Sequence, residues 1–169
     1  NEADNYGGGI YTSEGIKFEI YNGIISNNSA NKPSSEGGGI WLNNIDTSII
    51  VNTVIANNHV SKYGNIPALR FNSGVLDSLL LMNNIFFNNY KEDSSSDYYS
   101  FGGSESKWVS VHNYFKYFDQ NYATNDWWGR FSGNIFSNEN PFWGNDSANF
   151  NLETNSLALA SGTSYTTFM

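Results

Sequence analysis

The pattern Asn-x-[Ile/Val]-[Ile/Phe]-x-Asn-Asn occurs three times at nearly equal steps: Asn22 to Asn28, Asn52 to Asn58 thirty residues on, and Asn83 to Asn89 a further 31 on. A second block keeps the same period, Gly7-Gly8-Gly9-Ile10-Tyr11 returning as Gly37-Gly38-Gly39-Ile40-Trp41. A fixed period of this length marks a chain that stacks one small unit, each copy burying its apolar side only with the help of its neighbours. A fourth copy fits at Asn113-Tyr114-Phe115, with Phe118-Asp119 standing where the Asn pair should be.

Inside each copy the residues alternate. Phe18 and Ile20 lead through Asn22 to Ile24, and Ser48 and Ile50 through Asn52 to Val54. Leu79 and Leu81 lead through Asn83 to Ile85, and Val109 and Val111 through Asn113 to Phe115. Period two with β-branched residues predicts a strand with one face on a core. A second short strand follows the glycines, with Ile10 and Thr12, Ile40 and Leu42, Leu69 and Phe71 on one side and Tyr11, Trp41 and Arg70 on the other. In the third copy Pro67-Ala68 replaces the glycines. The 27 asparagines and 16 glycines disfavour helices, so the expected fold is all-β, a solenoid of about five coils of ~30 residues. Equivalent asparagines then stack, Asn22 with Asn52 and Asn83, Asn27 with Asn57 and Asn88, Asn28 with Asn58 and Asn89. An amide donates to one neighbour and accepts from the other, so such ladders satisfy polar groups that could not be buried singly.

These blocks resemble the repeat of right-handed parallel β-helix proteins of the pectate-lyase-like superfamily, with the nearest likeness to adhesin-type, polymorphic outer-membrane and surface-anchored branches. The stretch from Asn134-Ile135-Phe136 through Pro141-Phe142-Trp143 and Asn149-Phe150-Asn151-Leu152 to Ser161-Gly162-Thr163 resembles the ending of many such domains, without the proline and acid of their final motif. The resemblance implies a right-handed parallel β-helix and does not select an activity.

The chain reads as one domain, 1–169. Residues 1–89 make three regular coils, 90–121 a loop around Lys91 to Asp97 plus a fourth coil, and 122–169 a last partial coil with a C-terminal cap rich in Trp127, Trp128 and Trp143. The first coil is expected to be open on its N-terminal side. Two readings of that edge stay open: a segment cut from a longer β-helix or one with an irregular small cap, and a coil that stacks on another protomer and propagates into a filament.

Charge and composition exclude several functions. Net charge is −8 and the eight cations are scattered, which does not make the basic stripe a nucleic-acid binder needs. No apolar run approaches the length of a membrane span, and no basic-then-apolar leader is seen, so a mature or excised segment without membrane insertion is expected. There is no cysteine, hence no disulfide framework or thiolate chemistry. An acidic chain rich in Asn, Gly, Ser and aromatics points to a secreted or cell-surface location.

A polysaccharide lyase or hydrolase would need acids, with or without a cationic base or Ca²⁺, converging on one face. Glu14, Asp46 and Asp77 recur at steps of 32 and 31, and Lys17, Arg70 and Lys107 are the cations within reach; Asp46, Asp77, Lys17 and Arg70 are the catalytic candidates. His59 and His112 occupy different phases of the repeat and do not form a metal site. No metal or other cofactor is required, with Asp93 to Asp97, Asn125-Asp126 or Asn145-Asp146 as places for a structural calcium. The outward column Tyr11, Trp41, Arg70, with Tyr98 and Tyr99 beside it, is the ligand-binding candidate. Aromatic rings spaced by one coil suit the apolar faces of sugars, and the same rings also pack on one another. Asn27-Asn28-Ser29 and Asn145-Asp146-Ser147 match the glycosylation sequon. The expectation is a non-catalytic structural or adhesive module; the alternative is a carbohydrate-active enzyme or glycan-binding module.

Overall fold

The computed structural model describes residues 1–72, 78–93, 101–102, 107–116, 130–142 and 149–158. They form a parallel β-solenoid. The first coil consists of β1 (Glu2–Ala3), β2 (Ile10–Thr12), β3 (Gly15–Tyr21) and β4 (Ile24–Ser26). The second repeats it as β5 (Ser29–Ala30), β6 (Ile40–Asn43), β7 (Ile45–Val51) and β8 (Val54–Ala56), and the third as β9 (His59–Val60), β10 (Leu69–Asn72), β11 (Ser78–Met82) and β12 (Ile85–Phe87). β13 (Tyr90–Lys91), β14 (Phe101–Gly102), β15 (Lys107–Val111) and β16 (Tyr114–Phe115) extend all four sheets. β17 (Arg130–Ser132) and β18 (Ile135–Phe136) extend two of them. The sheets run β1-β5-β9-β13, β2-β6-β10-β14, β3-β7-β11-β15-β17 and β4-β8-β12-β16-β18.

The regular coils number about three, which corrects the expected five. In the third sheet Lys17 pairs with Thr47, Thr47 with Ser78 and Ser78 with Lys107, each step close to the full repeat. Val109 then pairs with Arg130, and that last step is too short to repeat the four sides of a regular coil.

Corners set the phase of each strand. Asn22, Asn52, Asn83, His112 and Gly133 separate the third sheet from the fourth, and all have φ between 53° and 64°. This left-handed region is accessible to Asn and Gly at least cost, which is why the repeat spends asparagines there. The left-handed residue breaks the alternation. Ile25, Ile55, Phe86 and Phe115 therefore join the central core with Ile50, Leu79 and Leu81, whereas Ile24 is 61% exposed. The expected inward column Ile24, Val54, Ile85 is corrected accordingly. The fourth copy also shifts by one residue: His112 takes the corner, Tyr114 pairs with Ile85, and Val109 pairs with Leu80. Val109 and Val111 consequently pack with Ile49, Val51, Leu80 and Met82 in a separate cluster, not in the central core.

Asparagine ladders run along two corners. At the first, Asn58 Nδ2 donates to Asn89 Oδ1 at 2.9 Å and to the Ile25 carbonyl at 2.9 Å, while its Oδ1 accepts from the backbone N–H and Nδ2 of Asn28. Asn1 donates in the same way to Asn28 Oδ1. A second buried ladder joins Gly23, Thr53, Asn84, Asn113 and Asn134, each backbone N–H donating to the side-chain oxygen of the next. Spacing alone places Asn113 with the exposed asparagines of the outer ladder; the one-residue shift puts it here instead. Outside, Asn52 donates to Asn22 and Asn83 to Asn52, and Asn88 donates to Asn57.

The described part of the C-terminal segment lies along the side of the solenoid. Phe142, Phe150, Leu152 and Ala158 pack with Ala56, Phe87 and Tyr114 on the outer face of the fourth sheet. The buried Tyr114 hydroxyl donates to the Glu139 carbonyl at 2.7 Å, and burial holds this phenol above its ordinary pKa. A raised native pKa contributes stability below the unfolded value, about 10, and that contribution is lost as pH rises through the native one. Tyr114→Phe should cost about 1 kcal/mol at pH 7 and flatten the alkaline loss of stability, measured by denaturant midpoints across pH 7–11. An unchanged alkaline slope would show that Tyr114 is not the group responsible.

Candidate functional site

The second sheet presents its outer residues at a corner. Tyr11 pairs with Trp41, and Trp41 with Arg70, so the column expected from sequence is in register on adjacent coils. The facing residues Ile10, Ile40, Leu42, Leu69 and Phe71 point into the core, as alternation requires. The glycines ahead of β2 and β6 allow this corner to form. Gly7 and Gly37 have φ of 62° and 64°, and a Cβ on Gly8 would collide with the Gly38 carbonyl oxygen.

Packing changes what the column offers. Trp41 is 8% exposed, met edge-on by Tyr6 and by Tyr11, the latter with ring centroids 5.9 Å apart. The accessible rings are thus Tyr11 at 51% and Tyr6 at 42%. The repeat pattern does not single out Tyr6; single parallel bridges linking Tyr6, Glu36 and Asn65 bring it there, and its position just ahead of the glycines is the signal available in sequence. The Trp41 Nε1–H is buried and has no hydrogen-bond partner among the described residues. Arg70 stands beside this cluster with Nε 3.2 Å from Glu36 Oε2, close enough for an ion pair but not aligned as a hydrogen bond. Two exposed tyrosines, a buried indole and a half-buried Arg–Glu pair therefore share the same outer face. Such a surface offers ring faces for apolar contact and charged groups for hydroxyls or carboxylates.

The catalytic candidates are not gathered. Lys17 and Glu19 form an exposed pair at 2.9 Å on the outer face of β3, where Tyr21 also donates to Glu19 at 2.8 Å. Hydrogen bonds from Lys17 and Tyr21 hold the Glu19 carboxyl below its ordinary value, so this interaction weakens as pH falls through that lowered pKa. Arg70 belongs to a different sheet and pairs with Glu36. Asp46 is half-buried within β7, one residue before Thr47, and Glu14 is exposed. Asp77, Tyr98 and Tyr99 lie outside the described residues, as do Asp97, Asn125-Asp126 and Asn145-Asp146; for Lys107 the backbone register is described. Among the described residues no three His, Cys, Asp or Glu side chains group to hold a metal ion. His59 stacks against Tyr90 at 5.0 Å and His112 serves as a corner. Among the described residues no helix is long and apolar enough to cross a membrane.

Fold and surface together define a parallel β-solenoid with an aromatic corner. In comparisons with family models, curated proteins and solved structures, the chain matches none.

Proposed function

We propose that the protein is a non-catalytic structural and adhesive module, secreted or displayed at the cell surface, of the adhesin kind found among right-handed pectate-lyase-like β-helices. One observation carries this reading: the in-register cluster of Tyr6, Tyr11 and Trp41 beside Arg70 and Glu36 on the outer face of a regular scaffold. A rigid sheet is a good support for a binding face because its side chains are already ordered before a ligand arrives. The ligand class is a glycan, its ring face on Tyr11 and Tyr6 and its polar groups near Arg70. The carbohydrate-active enzyme is the less supported reading, since Lys17 and Arg70 sit on different sheets and each has its own acid.

Glycan-array screening followed by calorimetry tests the proposal. Tyr11→Ala should weaken binding of a retained glycan at least tenfold while the denaturation midpoint changes little, because the ring is half-exposed. Release of reducing or unsaturated sugar ends by the wild-type protein would refute the non-catalytic reading.

A further inference from the structure

Among the described residues three buried side-chain polar atoms have no hydrogen-bond partner: Trp41 Nε1, Ser48 Oγ and Arg70 Nε. Two of the three share one corner. Trp41 on β6 and Arg70 on β10 are register partners on adjacent coils, so two donors without an acceptor stand on the outer face of the same sheet. Native structures leave few buried donors unsatisfied. A pair of them on a surface lined with rings calls for a ligand that brings oxygen acceptors.

The surrounding charge decides which acceptors fit. Among the described residues the Arg70 guanidinium has one partner, Glu36, with Nε 3.2 Å from Oε2 and the two side chains 26% and 20% exposed. The cation is thus already balanced by an acid that a ligand on Arg70 would also touch. Lys17 is held by Glu19 in the same way, and Lys32 by Asp4. Residues 1–58 carry these two lysines and no arginine, against Glu2, Asp4, Glu14, Glu19, Glu36 and Asp46. Glu14 stands two residues past β2, and Asp46 lies within β7. A carboxylate or sulfate brought to Arg70 would meet Glu36 at like charge, in surroundings where acids outnumber cations. A hydroxyl meets no such penalty, since it accepts from Arg70 and donates to Glu36.

The Trp41 donor lies under the rings that meet it, Tyr6 being nearer than Tyr11. Tyr6 sits between β1 and β2 and is tied by a single backbone bridge to Glu36, so its side chain can turn aside without breaking a ladder bond.

We propose that this corner selects neutral sugars over uronic acids and sulfated sugars. Sugar hydroxyls bridge Glu36 and Arg70, and a sugar oxygen accepts from Trp41 Nε1–H once the Tyr6 ring turns aside. Glu36 is the residue that sets this specificity. The inference rests on the glycan-binding reading of the same corner and names the class of glycan it takes.

An array pairing neutral oligosaccharides with their uronate and sulfated counterparts, followed by calorimetry of the retained pairs at pH 7, tests it. The neutral member should bind at least tenfold more tightly than its acidic counterpart. Glu36→Gln relieves Arg70 of its counter-charge, so binding of the acidic member should rise and the preference shrink. A merely structural loss would weaken both members alike. Should that variant unfold, the wild-type protein answers the same question, because added salt screens the like-charge contact and should narrow the preference. In nitrogen–proton correlation spectra the Trp41 indole N–H, assigned with Trp41→Phe, should shift when the neutral member is added. Acidic sugars bound as tightly as neutral ones, a preference unchanged in Glu36→Gln, or an indole resonance unmoved by a bound neutral sugar overturns the proposal and leaves glycan binding standing. Retention of no glycan at all overturns both.

Discussion

Asn58→Ala should be among the most damaging single substitutions in the protein, because the buried Asn28 backbone N–H and side-chain amide lose their acceptor, at a cost of about 1–3 kcal/mol for each group left unpaired. Alanine removes the acceptor for the Asn28 backbone N–H and the donor to the Ile25 carbonyl, in a site where Asn58 is 0% exposed. Asn58→Asp separates the donor role from the acceptor role. An ionised carboxylate still accepts from Asn28 but confronts Asn89 Oδ1 with a second acceptor. Burial raises the pKa of such a carboxyl, so stability of the Asp variant should recover as pH falls and the group becomes a donor again. Asn28→Ala should cost less, because Asn58 keeps both of its donor bonds. Urea midpoints at pH 7 and 4 measure all three; an Asn58→Ala protein with the wild-type midpoint would show that the ladder is not formed.

Phe86→Ala should cost about 3–5 kcal/mol through loss of buried area and the cavity that remains. Phe86 is 0% exposed and stacks on Phe115 at 4.9 Å, which stacks on Phe136 at 5.5 Å, so one truncation loosens three successive coils. Phe18→Ala provides the contrast. Phe18 packs on the same core from the first coil but remains half-buried, so its loss should cost clearly less. Equal effects at the two positions would contradict the half-burial of Phe18.

Much of the fold was legible in the repeat. Stacking puts equivalent residues of successive coils side by side, so Asn52 next to Asn83, or Trp41 beside Arg70, could be read from spacing alone. The break in phase at the corners was not legible, because a left-handed asparagine looks like any other asparagine in a period-two pattern. That is why Ile25 rather than Ile24 enters the core, and why Asn113 belongs to the buried ladder with His112 at the corner. The candidate site was half legible. Its column of Tyr11, Trp41 and Arg70 follows from register, but Tyr6 and Glu36 come from the preceding side of the coil and meet it only because the glycine turn brings them there.

By itself the sequence determined the class of fold, since a strict period near thirty with paired asparagines admits a stack of β-coils and little else. Tertiary structure decided which face of each strand is inside, how many coils stay regular, and that Trp41 is covered while Tyr11 is open. The physical reason is that periodicity records which residues are equivalent, whereas burial depends on corner dihedrals and on what folds against each face.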